Sequence, residues 1–152
     1  MMPSELVQVV ALVVGILLVV AVILGVTFTL IGRQSRKQIA LAQDDHPEAE
    51  RIDFANFYGQ ESRTAMQLRG GGTLVLLPDR IVFRMLVTGR EFTIPRDRIL
   101  RIETPTSFLG KTNFRPLLKV VYRDEAGGED SMAWLVRELP RWQAALETSP
   151  HP

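Results

Sequence analysis

The feature that most constrains this chain is the run Leu6 to Ile31, which has no charged residue and only Gln8, Thr27 and Thr29 as polar interruptions. A bilayer core roughly 30 Å thick needs about 20 helical residues at about 1.5 Å each, so a helix over this run crosses it with length to spare. Each Leu, Ile, Val or Phe near the helix centre contributes about −0.3 to −0.6 kcal/mol to insertion. The remaining chain, roughly 100 residues, is too small to enclose a helix that is apolar all round. A cleavable signal peptide fits poorly, because Met1 to Glu5 carries an acid where a basic start is expected, and Leu30, Ile31 and Gly32 are not a small-residue cleavage site. Residues 1–32 therefore read as an uncleaved transmembrane anchor.

Orientation follows from the flanks. Arg33, Arg36 and Lys37 come directly after the span, whereas the N-terminal side has no Lys or Arg. The positive-inside rule then puts the N-terminus outside and the C-terminal portion in the cytoplasm. The same three cations are within reach of anionic headgroups, though setting topology is their simpler role. Ala11 with Gly15, and Ala21 with Gly25, have small-xxx-small spacing that lets two spans approach as a homodimer, but the two pairs lie about 80° apart around the helix.

The chain has 152 residues, 18 Lys plus Arg against 17 Asp plus Glu, and no cysteine. That balance argues against a nucleic-acid partner. The missing cysteine excludes disulfides, thiolate metal sites and cysteine nucleophiles. The basic residues are mostly Arg, a bias that accompanies GC-rich genomes and points to a bacterial inner (plasma) membrane.

Residues 33–60 read as a juxtamembrane linker with short helices. The anchor helix can run on to Ala42 until Asp44, Asp45, His46 and Pro47 break it, since a residue before proline disfavours helix. Pro47 then suits the first turn of a second short helix ending at Gly59, with Phe54, Phe57 and Tyr58 as an apolar stripe. Residues 61–148 change to the period of strands, and residues 149–152 form a tail. Ala65 to Leu68 suggests a first strand, Gly70 to Gly72 a hairpin turn, and Thr73 to Leu77 a second strand. Arg80 to Leu86, Glu91 to Ile94, Ile99 to Thr104, Leu117 to Tyr122 and Met132 to Val136 complete seven. In the third, Ile81, Phe83 and Met85 share one apolar face. The period turns helical again at Leu139, Trp142, Ala145 and Leu146, with Pro140 at a permitted first-turn position. This pattern predicts a mainly β, α+β domain: an antiparallel sheet or barrel, covered by a helix that buries Trp142.

The run from Gly72 to Phe83, Gly-Thr-Leu-Val-Leu-Leu-Pro-Asp-Arg-Ile-Val-Phe, resembles the opening strands of GRAM and bacterial pleckstrin-homology-like domains. Phe92 to Ile99 is similar to their Ile-Pro step and Leu117 to Tyr122 to their following strand. The resemblance covers about Arg63 to Leu146, and implies a seven-stranded split barrel capped by a C-terminal helix and used for binding rather than catalysis. The Lys-rich phosphoinositide signature of pleckstrin-homology domains is missing around Arg63 to Arg69.

Convergent titratable groups for an enzyme are scarce. His46 and His151 each precede a proline, with no Cys or spaced second His to build a metal site. No Lys-Ser or Lys-Thr follows Gly70 to Gly72, so no phosphate-binding loop is expected. Asp124, Glu125, Glu129 and Asp130 read as a solvated hairpin, not a calcium site. No cofactor, metal or catalytic residue is expected. The candidate binding surface is the loop from Thr106 to Pro116, where Phe108, Phe114, Lys111 and Arg115 combine apolar and cationic groups, with Arg69 a further candidate by analogy with the family. The bland reading is that the two phenylalanines pack under the loop. The favoured function is a membrane-anchored protein-interaction adaptor. A sensor of anionic lipid headgroups, and a small structural subunit of a larger membrane complex, are the alternatives.

Overall fold

The computed structural model describes residues 4–63, 69–112 and 114–148. It divides into two units, Met1–Lys37 and Gln38–Pro152. Helix α1 spans Ser4–Asp45, and its most apolar 18-residue window has a mean hydropathy of 3.4, so it is long and apolar enough to cross a membrane. Its two threonines are self-contained, as a hydrocarbon setting demands. The Thr27 hydroxyl donates to the Ile23 carbonyl and the Thr29 hydroxyl to the Val26 carbonyl, both at 2.8 Å. The helix stops at Asp45, just ahead of the His46-Pro47 pair where a break is expected.

The second unit is mixed α+β and mostly sheet. Its strands are β1 (Arg51–Gln60), β2 (Gly70–Leu76), β3 (Arg80–Met85), β4 (Glu91–Pro95), β5 (Ile99–Glu103), β6 (Ser107–Phe108), β7 (Lys111–Thr112), β8 (Leu118–Arg123) and β9 (Glu129–Leu135). Helix α2 covers Leu139–Glu147. Seven strands form one antiparallel sheet in the order β4-β3-β2-β1-β9-β8-β5, and β6 with β7 forms a separate hairpin. The last long strand thus pairs with the first, while β4 and β5, consecutive in the chain, hold the two free edges. A single 3-10 turn, Arg96–Arg98, links those edges.

Residues 33–60 do not form the expected linker of short helices. Helix α1 takes up the first part, and Arg51–Gln60 is a central strand between β2 and β9. Ala55, Phe57 and Gly59 are buried at a spacing of two, so the aromatic residues Phe54, Phe57 and Tyr58 serve two faces of a strand instead of one helical stripe. A helix of this length has little stability of its own, whereas a central strand bonds to partners on both sides. Gly59, at φ 132°, accommodates the register shift after Phe57.

Gly70 to Gly72 is likewise not a turn but the start of β2. A Cβ at Gly71 would strike the Phe54 ring, and one at Gly72 would meet the Arg84 carbonyl and the Phe83 ring. The glycines are there to let aromatic rings lie close to the backbone. The expected first strand, residues 65–68, lies outside the described residues, as does the tail 149–152.

The inner face of the sheet carries the main core, in which Phe57 lies 4.8 Å from Phe92, 5.3 Å from Phe83 and 5.8 Å from Trp134, centroid to centroid. Ile81, Phe83 and Met85 enter it together, as the alternation predicts. Helix α2 adds Leu146 and the fully buried Trp142. On the outer face, Val75, Leu77 and Val82 pack with Ala42, Ala49 and Ile52, so β2 is apolar on both sides. The β6-β7 hairpin covers another outer patch with Phe108, against Leu117 and Ala133.

Candidate functional site

The loop between β5 and β8 holds most of the residues singled out from the sequence. Leu109 and Gly110 both adopt positive φ, 52° and 72°, the pattern of a tight two-residue hairpin turn whose twist suits the flanking strands. For leucine this backbone is disfavoured by about 1 kcal/mol. Packing of Leu109 beside Phe108 and Tyr58 offsets that cost. The turn folds the loop back on itself, with the Thr112 hydroxyl donating to the Thr106 carbonyl at 3.0 Å.

The two loop phenylalanines part company. Phe108 is buried, with the Lys119 ammonium 5.8 Å from its ring centroid, so its role is packing. Phe114 is 89% exposed and also has a positive φ, 53°, with its N–H donating to the Thr112 hydroxyl. A non-glycine residue held left-handed and turned to solvent contributes nothing to the core. Arg115 beside it is exposed. Arg69 lies over the Tyr58 ring at 5.3 Å, and it is close enough to Lys111 for the two charges to repel. The Lys111 ammonium is held below its usual range, first by desolvation and then by Arg69. The structure therefore gathers Arg69 and Lys111 on one patch, with Phe114 and Arg115 following along the same loop. Arg33, Arg36 and Lys37 are exposed on α1, in the other unit.

A second feature was not anticipated. Asp130, expected in a solvated hairpin, is 4% exposed. It accepts hydrogen bonds from Gln60 Nε2 (2.6 Å), the Ser62 hydroxyl (2.7 Å), the Ser62 N–H (2.9 Å), the Tyr122 hydroxyl (2.9 Å) and the Ser131 N–H (2.8 Å). Burial pushes this carboxyl up, but the donors from Gln60, Ser62 and Tyr122 outweigh it and hold the group below the usual carboxylate range. Tyr122 moves the other way, raised by burial first and then by its bond to Asp130. The available signal was alternation: counted back from Trp134 and Met132, Asp130 falls on the inward face of β9. The network forms the floor of a cleft of about 680 Å³ beside β4. Among the described residues, no group of three or more His, Asp or Glu is placed to hold a metal ion.

No family model and no curated protein sequence matches this chain. Among solved structures it is similar to the C-terminal domain of an unknown protein from Leishmania infantum, at 15% identity and a TM-score of 0.51, over 72% of this chain and 94% of that one. At that identity the likeness concerns the fold alone.

Proposed function

We propose that this protein is a single-pass membrane-anchored binding module that presents a pleckstrin-homology-like domain to the cytoplasm as a protein-interaction adaptor. The anchor reading rests on the apolar length of α1, and the orientation on Arg33, Arg36 and Lys37. The pleckstrin-homology-like reading is supported by an up-and-down sheet whose last long strand pairs with its first, whose fourth and fifth strands form the free edges, and whose C-terminal helix plugs the core.

The observation that carries the binding function is Phe114, 89% exposed on a left-handed backbone next to an exposed arginine. Aromatic residues and arginine are enriched among the residues that carry the binding energy of interfaces. The neighbouring cations Arg69 and Lys111 favour the second reading, contact with anionic lipid headgroups. One experiment separates them: a photoreactive phenylalanine at position 114 of the full-length protein, irradiated in intact bacterial membranes. A discrete protein adduct, absent with the probe at Glu147, supports the adaptor. Adducts with lipid alone favour the lipid reading, and no adduct of either kind overturns both.

A further inference from the structure

Strand β4 is bonded to β3 on one side only. The Met85 N–H donates to the Arg90 carbonyl and the Arg96 N–H to the Asp79 carbonyl, both at 2.8 Å. Hydrogen-bonded pairs alternate along an antiparallel ladder, so Phe92 and Ile94 also face β3. The backbone groups of Glu91 and Thr93 therefore point away from the sheet, on the side where β4 has no neighbouring strand among the described residues, while Pro95 caps the 3-10 turn Arg96–Arg98. Thr93 and Pro95 line the 680 Å³ cleft over Asp130, where Phe92 and Met132 supply apolar wall and Arg63, Arg98 and Arg123 stand at the rim. All three arginines are exposed, and none is ion-paired among the described residues.

We propose that the free edge of β4 takes up an extended acidic peptide segment, which adds as a further strand along Glu91–Pro95 with its carboxylates toward Arg63, Arg98 and Arg123. This names the partner chemistry of the binding module and rests on that reading. An unpaired edge is a template for strand addition, in which main-chain bonds supply affinity and side-chain pockets supply selection. The carboxylates that share the cleft lie deeper than the arginines for the most part. Asp130 is buried at the floor of the cleft and Asp124 is partly buried in its own turn, where it accepts the Gly128 N–H at 2.8 Å, so the exposed rim sets three guanidinium groups against Glu125 and the partly exposed Asp124. Phe92, partly buried under Arg90 at 5.3 Å, gives an apolar side chain of the peptide a surface to cover.

The test uses the full chain in lipid nanodiscs and a fluorescent hexapeptide of alternating Val and Glu, read by anisotropy. Replacing Glu by Lys in the peptide, or N-methylating its alternate amides, is expected to weaken binding at least about tenfold. Thr93→Pro removes an N–H that faces the cleft and leaves the β3 ladder untouched, and it is expected to cause a loss of the same order. The double variant Arg98→Glu with Arg123→Glu is the second probe, because it leaves the backbone unchanged. Equal binding of the Glu and Lys peptides, or undiminished affinity in a folded Thr93→Pro protein, overturns the proposal. If the peptide is not bound while position 114 still yields a protein adduct, the β4 site fails and the adaptor reading stands.

Discussion

The indole N–H of Trp142 donates to the Asp53 carboxylate across 2.8 Å, joining α2 to β1 from residues 89 positions apart. Trp142 has no solvent exposure, so the bond satisfies a donor that water cannot reach. Arg51 lies 5.7 Å from the same ring and reaches the Glu138 carboxylate at 3.3 Å, at the entry to the helix. Asp53→Ala should therefore destabilise the domain by about 1 to 3 kcal/mol, the cost of a stranded buried N–H. Urea unfolding followed by tryptophan fluorescence measures it, and an unshifted midpoint would show that the fold does not depend on this bond.

Gly72 sits where a side chain has no room. Its Cβ would press on the Arg84 carbonyl and the Phe83 ring, backbone and core rather than a flexible side-chain end. Gly72→Ala should cost about 1 to 3 kcal/mol as an overpacked core site. A helical glycine with open space around it, such as Gly15 in α1, tolerates the same change sterically. A Gly72→Ala protein as stable as the parent would mean that β2 and β3 separate freely.

The Asp130 network makes stability depend on pH in two directions. Asp130 is depressed in the fold, so its contribution is fully present above the ordinary carboxyl pKa near about 4 and is lost as pH falls through the lower folded value. Tyr122 is raised, so its contribution is full below about 10 and is lost as pH climbs beyond that. Unfolding midpoints at pH 3, 7 and 11 check both limbs. Asp130→Asn should flatten the acid limb, and Tyr122→Phe the alkaline one; parallel profiles for parent and variants would refute the assignment.

The middle of α1 is the place to test membrane insertion. Leu18→Arg places a charge near the centre of the apolar run, at a cost of about 2.5 to 3.5 kcal/mol. A larger fraction should be released by alkaline carbonate extraction. Reversing Arg33, Arg36 and Lys37 to Glu should let a protease added to the outer side reach the C-terminal domain, whereas the parent stays protected.

Local patterns of a fixed period were legible before any tertiary contact was known. The uninterrupted apolar run of α1, the two-residue alternation of Ile81, Phe83 and Met85, and the helical spacing of Trp142 and Leu146 each need only their own neighbours in sequence, and the structure keeps all three. The candidate loop was legible as a loop, but not the separate fates of its phenylalanines. Phe108 is buried because the β6-β7 hairpin folds onto the outer face of β9, and Phe114 is outside because the hairpin has already turned.

What only the tertiary structure decided depends on partners distant in the chain. Arg51–Gln60 is a strand because β2 and β9 bond both its edges, and a window of ten residues holds no trace of either. Gly70 to Gly72 looks like a turn until Phe54 and Phe83 are brought over it. Asp130 looks solvated until Gln60 and Ser62, some 70 residues earlier, supply the donors that let a carboxylate be buried. Periodicity reports which face of an element is apolar; which neighbour completes a backbone ladder or a buried charge is a property of the assembled sheet.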